Sequence, residues 1–213
     1  MSIMADLPKG NKKLLNAWAF YDWANSVYPL VISSAIFPIF YEALFSDRNP
    51  YIHVFGTEIK NSALISFVTA AAFVVVAFIS PLLSGIADYI GNKKEFMRFF
   101  CYLGAISCIG LNWFSLDSLY LSLLFYFLGL IGYWGSIVLY NSYLPDIASP
   151  EQQDKISAKG YSMGYIGSVI LLVVNLAMVM KPQLFHISGS EGEAAMKAMR
   201  YSFVMVGIWW VVF

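Results

Sequence analysis

The chain has 213 residues, of which 59% are apolar with Tyr and Cys counted, 17% aromatic and 12% charged, and its mean hydropathy is +0.66. A soluble domain carries about 25% charged residues, so this composition excludes disorder and an ordinary soluble enzyme and indicates a membrane protein. Thirteen Lys and Arg balance thirteen Asp and Glu, and a neutral sum makes no case for nucleic acid as a partner.

Roughly twenty apolar residues cross a bilayer as a helix, and that length predicts six segments. The first, Ala17–Phe45, is overlong and holds Pro29 and Pro38, which predicts a tilt or kink. Its basic approach (Lys9, Lys12, Lys13) leads into an apolar stretch far longer than the core of a signal peptide. The second and third segments, Ala63–Ala87 and Phe96–Leu116, are joined by a tight turn over Asp88–Glu95. Cys101 and Cys108 share a helical face in the third, ~10 Å apart along the axis and too far for a disulfide. The fourth, Leu119–Tyr140, is aromatic and glycine-rich, with Tyr126, Tyr133 and Tyr140 on one stripe and Gly129, Gly132 and Gly135 permitting close backbone approach. In the connection Asn141–Lys159, Ser149 as N-cap and Pro150 at the first helical position predict a short helix along the membrane surface. The fifth segment is Tyr161–Met180, and its lone polar Asn175 predicts an interhelical hydrogen bond. The sixth runs from about Met196 to Phe213 and is short. Further sequence is expected to follow it.

Basic residues set the orientation. With the N-terminus inside, Lys9, Lys12, Lys13, Lys93, Lys94, Arg98, Lys155 and Lys159 are cytoplasmic, against Arg48, Lys60, Lys181, Lys197 and Arg200 outside. The expectation is a multi-pass protein with a cytoplasmic N-terminus.

The candidate solute or proton pathway begins in Trp18-Ala19-Phe20-Tyr21-Asp22-Trp23-Ala24-Asn25-Ser26. Steps of three, four and seven stack Trp18, Tyr21, Asp22, Asn25 and Tyr28 on one helical stripe. A carboxylate inside the hydrocarbon boundary costs ~2.5–3.5 kcal/mol on insertion scales, so Asp22 calls for a wet cavity or a partner. The plainer alternative is a headgroup-level residue that caps or pairs with a cation such as Lys12. Tyr133 and Tyr140, with Asn141 at the inner end, are candidates to line a cavity opposite Asp22; packing is the alternative for that aromatic stripe. Gly160, Gly164 and Gly167 mark a helix-packing face that doubles as a sliding surface in a transporter.

A second candidate is Gly85-Ile86-Ala87-Asp88-Tyr89-Ile90-Gly91-Asn92-Lys93-Lys94, where glycines flank an acidic residue and a basic pair in a very short turn. Gly85, Asp88, Gly91, Lys93 and Lys94 are read as a gating loop. His53 and His186 have no acidic or Cys neighbour at ligand spacing, so no metal is expected. No cofactor motif or catalytic constellation is found, and no enzyme activity is expected.

The Gly–Asp–Gly–basic turn resembles the signature loop of the major facilitator superfamily, matching at Asp88, Gly91 and Lys93 and departing at Ser84, Tyr89 and Asn92. Tyr21-Asp22-Trp23-Ala24-Asn25-Ser26 is similar to the first-helix signature of the autophagy-related vacuolar amino-acid effluxers and their bacterial relatives. So is Asn141-Ser142-Tyr143-Leu144-Pro145-Asp146-Ile147-Ala148 with the glycines that follow it. The resemblance implies an all-α polytopic fold: six transmembrane helices forming one half of a twelve-helix transporter, built from two three-helix inverted repeats. It further implies a secondary transporter that moves amino acids or related small solutes by rocker-switch alternating access, and the Asp22 carboxylate makes a proton the candidate coupling ion. A second six-helix half is the expected partner, whether from the rest of a longer chain, of which this would be a fragment or truncated product, or from another copy. A bacterial inner membrane is favoured over a vacuolar one. The alternative reading is a non-transporting assembly or partner-binding subunit.

The orientation is tested by single cysteines in a background lacking Cys101 and Cys108. Thr57→Cys and Ser190→Cys are expected to react with an impermeant maleimide from outside and Lys155→Cys only after lysis. Labelling of position 57 from the cytoplasmic side alone would overturn it.

Overall fold

Hydrocarbon offers a peptide group no hydrogen bond, so a spanning segment satisfies its backbone internally, and the apolar runs form long helices. A computed structural model describes residues 8–45, 50–54 and 56–213, with the side chains of Asp88 and Ile90 outside that description. Arg48 also lies outside the described residues. Helix α1 (Lys12–Asn25), a π-helical stretch (Tyr28–Ile36) and α2 (Phe37–Ala43) form one continuous span. A short hairpin follows, β1 (Tyr51–Val54) against β2 (Thr57–Lys60), antiparallel with Val54 opposite Thr57. Then come α3 (Asn61–Ile90), α4 (Lys93–Gly110) with a 3₁₀ turn over Leu111–Trp113, α5 (Leu119–Ile147), α6 (Pro150–Met180) and α7 (Glu191–Val212). Among the described residues, five helical spans are long and apolar enough to cross a membrane. Helix α7, with Glu191, Glu193, Lys197 and Arg200 in its first half, is not one of the five. The chain is an all-α polytopic membrane protein with one small hairpin at a loop.

Two local features depart from the sequence reading, the Asn141–Lys159 connection and Asn175. No separate surface helix lies in the Asn141–Lys159 connection. Instead α5 runs on past Tyr140 and through Pro145 to Ile147, and α6 starts at Pro150 as a direct extension of the fifth span. The predicted start itself is present: the Ser149 N–H donates to Gln152 Oε1 at 3.1 Å, and Pro150 takes the first position, where a missing N–H costs nothing. Pro29 sits at the second residue of the π stretch and Pro38 in the first turn of α2. Proline removes the donor to the carbonyl four residues back, and a wider i→i+5 ladder absorbs the gap. Asn175 bonds within its own helix, its Nδ2 donating to the Leu171 carbonyl at 2.8 Å.

Helices attract one another weakly in lipid unless their backbones come close. Helices α4 and α5 do so at Gly104 and Gly132, where a Cβ on Gly132 would lie 2.5 Å from the Gly104 Cα. The first span packs along α6, α3 along α5, and α7 across α4. Phe37, Phe40, Phe114 and Phe203 meet at ring separations of 5.1–6.2 Å and fill the centre near the hairpin end. There the Arg200 guanidinium lies 5.0 Å over the Phe40 ring and donates to the carbonyls of Asn112 and Phe114. At the opposite end the Gly10 N–H donates to the Ile147 carbonyl at 2.8 Å, Lys159 to Asn16 Oδ1 at 2.6 Å and Lys93 to Asp146 Oδ2 at 2.7 Å. Helix α3 is the exception to close packing: 11% of its most apolar window is buried, against 50% for the first span and for α4. Phe67, Phe78, Leu82 and Ile86 stand on its open side.

Substituting Gly132→Ala forces α4 and α5 apart, at a cost of about 1–3 kcal/mol from overpacking. A lowered unfolding temperature in detergent is the expected readout, with Gly192→Ala, which meets no atom within 4 Å, as the neutral control.

Candidate solute pathway

The stripe predicted on the first span exists, and neighbouring helices cover most of it. The Trp18 indole stacks on Tyr140 of α5 at 4.0 Å and 7°, and its Nε1 donates to the Tyr140 carbonyl at 3.0 Å. Tyr21 packs on the same ring at 5.3 Å, and Tyr28 on Tyr133 at 5.5 Å. Asn25 is fully buried, its Oδ1 accepting from the Ser136 hydroxyl at 3.0 Å. These contacts make the tyrosines of α5 a packing surface for α1. Asn141, one residue past Tyr140, is exposed.

Asp22 is 4% exposed, and its Oδ1 accepts from the Ser26 hydroxyl one turn further on, at 2.7 Å. Among the described residues no cation pairs with it, so the pairing with Lys12 does not form. A carboxylate held in an apolar span by one neutral donor is expensive, and the approach of α6 deepens its burial. A Cβ on Gly164 would stand 3.0 Å from the Asp22 Cγ and 2.6 Å from the Ser26 Oγ, so only glycine lets α6 reach this depth. Gly160 faces the Tyr140 hydroxyl and Gly167 the Trp23 carbonyl in the same way.

Beyond Ser26 the helices part around a cavity of about 260 Å³. The first span lines it with Ser26, Pro29, Leu30 and Ser34, and α5 contributes Tyr133. Helix α6 adds Tyr161, Tyr165 and Ser168, whose hydroxyl donates to the Gly164 carbonyl. Of the stripe and α5 residues selected from sequence, Tyr133 lines this cavity, and Asp22 reaches it through Ser26. The α6 residues escaped that reading, although Tyr161, Tyr165 and Ser168 follow steps of four and three and each sits one position after a glycine of the close-packed face. Buried polar atoms that lack a protein partner gather at this junction: Tyr21 OH, Trp23 Nε1, Asn25 Nδ2, Tyr28 OH and Tyr140 OH. Such groups cost about 1–3 kcal/mol each when left unsatisfied, and none of the residues that carry them lines the cavity.

The gating-loop residues gather at the end of the bundle that carries the N-terminus. Gly85 is exposed on α3, and Gly91 ends that helix in the left-handed region at φ 70°. The Lys93 side chain is 10% exposed and donates to both Asp146 Oδ2 at 2.7 Å and the Ser142 carbonyl at 3.0 Å. Lys94 lies 5.5 Å over the Tyr143 ring. The turn is thereby fastened to the end of α5. Among the described residues no group of three His, Cys, Asp or Glu is placed to hold a metal, and His53 lies 3.8 Å from Glu58 across the hairpin.

A bundle of apolar spans with a buried carboxylate one hydrogen bond away from an open cavity defines a polytopic membrane protein with a candidate solute path. Residues 10–213 match the family model described as "Vacuole effluxer Atg22 like". The chain is 32% identical over 198 residues to the uncharacterized MFS-type transporter YxiO of Bacillus subtilis, covering 93% of this chain and 44% of that protein. It is 27% identical over 175 residues to an uncharacterized protein of Aquifex aeolicus, covering 81% and 41% respectively. To autophagy-related protein 22-1 of Aspergillus clavatus it is 22% identical over 225 residues, covering 76% of this chain and 36% of that protein. No solved structure matches the chain. The chain belongs to the Atg22-like effluxer family of major facilitator transporters, a transporter family and not an enzyme class. It spans less than half the length of the relatives described here.

Proposed function

We propose that the chain is the N-terminal six-helix half of a secondary transporter that rocks against a second six-helix half to move an amino acid or a related small solute. Its N-terminus and the Lys93 turn lie on the cytoplasmic side of a bacterial inner membrane. The buried Asp22 carboxylate, joined through Ser26 to a cavity rimmed by Tyr133, Tyr161 and Tyr165, carries this reading. Aromatic faces and a carboxylate suit an ammonium-bearing solute, and a carboxylate whose solvation changes at each alternation suits a coupling proton.

The packing supports two inverted three-helix repeats. Exchanging the first span with α5, α3 with α6 and α4 with α7 converts the pairing of the first span with α6 into that of α5 with α3, and both pairings are present. It leaves the α4–α7 contact in place. The open face of α3 supports a docking surface for the second half. The cationic stretches joined at one end support the orientation, because positively charged loops are retained inside.

Asp22→Asn separates the two roles in proteoliposomes carrying the assembled two-half transporter. A proton carrier replaced by Asn keeps solute exchange and loses pH-driven accumulation, whereas a solute ligand replaced by Asn loses both. Uptake, exchange and pH dependence all unchanged would reduce Asp22 to a buried cap and remove the support for this site.

Lys93 and Asp146 are assigned to switching between states, because the pair fastens a surface turn away from the cavity. Asp146→Asn is expected to change the transport rate several-fold with equilibrium solute affinity within twofold. A large affinity loss at an unchanged rate of switching would rule that assignment out.

A further inference from the structure

A second cavity lies further along the first span, toward the hairpin end of the bundle. It is an open cleft of about 460 Å³ between α2 and α3, with Tyr126 of α5 in its wall. That size falls within the range of ~300–1,000 Å³ typical of small-molecule sites. Three nearly parallel rings form one wall: Phe37 stacks on Tyr126 at 4.2 Å and 11°, and on Tyr41 at 5.9 Å and 22°. Helix α3 supplies hydroxyls. Ser66 donates to the Ser62 carbonyl and Thr69 to the Ile65 carbonyl, each at 2.8 Å, and Thr69 also lies 3.2 Å from the Tyr126 hydroxyl. A hydroxyl that donates into its own helix keeps its lone pairs as acceptors.

Glu42 is the one acidic residue of the lining, it is exposed, and none of the lining residues is basic. Among the described residues no cation pairs with it. The cavity therefore presents a carboxylate and lone pairs, both of which attract a positive donor-rich group, beside a wall of stacked rings. Ile65, Ala70 and Phe73 add an apolar side.

We infer that this cavity is a second binding site, separate from the one reached through Asp22, for a primary ammonium group with an apolar or aromatic tail. The ammonium sits at Glu42 and the tail lies between the ring wall and α3. The same head group comes from two sources, a free amine or an ethanolamine phospholipid whose acyl chains run along α3.

The test uses the 213-residue chain in nanodiscs of phosphatidylcholine and phosphatidylglycerol, titrated with phenethylamine by calorimetry. Binding is expected for the wild type and at least tenfold weaker for Glu42→Gln. Ser66→Phe, which fills the cavity, abolishes it, and 3-phenylpropanoate, with a carboxylate in place of the ammonium, does not bind. Glu42 is exposed, so its Gln variant retains the fold, and an unchanged unfolding temperature confirms this. Adding phosphatidylethanolamine to the nanodisc assigns the source. Competition with phenethylamine identifies the lipid head group, and its absence identifies the free amine, the site standing in either case. Equal binding of phenethylamine to the wild type and Glu42→Gln overturns the inference. So does a loss confined to Asp22→Asn, which would place the amine in the other cavity.

Discussion

Backbone proximity is the constraint on which this bundle depends. Lipid tails are as apolar as the side chains they touch, so burying a Leu between two helices gains little over leaving it in the membrane. Close approach must supply the difference through dispersion contacts. The Gly104–Gly132 crossing brings α4 and α5 together, and the glycine face of α6 brings that helix onto α1. The second crossing also decides where polar chemistry can sit. Because α6 comes in over Gly164, Asp22 and Ser26 are sealed on that side, and the cavity opens only beyond Ser26, where tyrosines and serines replace the glycines.

The first span lines both candidate cavities, and its backbone changes character as it reaches them. From Lys12 to Asn25 it is an ordinary helix with acidic and amide groups tied to α5 or to itself. The π stretch that follows, Tyr28–Ile36, lines the first cavity with Pro29, Leu30 and Ser34 and ends where the aromatic wall of the second begins. Stretches of this kind concentrate at functional sites because they displace backbone carbonyls from the regular ladder.

Much of this architecture was legible from residue order. The apolar runs marked every long helix, and Ser149-Pro150 marked a helix start, which proved to be that of α6 and not of a separate surface helix. The helix ends were less legible, because hydropathy measures where lipid stops and not where hydrogen bonding stops. Asn141, Ser142 and Tyr143 end the apolar run of α5 without ending its ladder. The hairpin at Tyr51–Lys60 is too short and polar to register on a ruler tuned to spans. Periodicity placed Trp18, Tyr21, Asp22, Asn25 and Tyr28 on one stripe, but which helix covers a stripe depends on the partner's small residues. The cavity residues Tyr161, Tyr165 and Ser168 became identifiable only once the glycines beside them had been seen against α1 and Tyr140.

The sparse burial of α3 bears on how such a protein is made. In water, a face carrying Phe67, Phe78, Leu82 and Ile86 would drive aggregation; in a bilayer, acyl chains solvate it at no penalty. Insertion and tertiary docking are then separable events. Such a bundle can leave the insertion machinery, settle its own crossings and wait in the membrane with that face greased by lipid. Whatever later covers α3 has to displace lipid, which makes the exchange nearly neutral in energy, and a nearly neutral joint is one that slides.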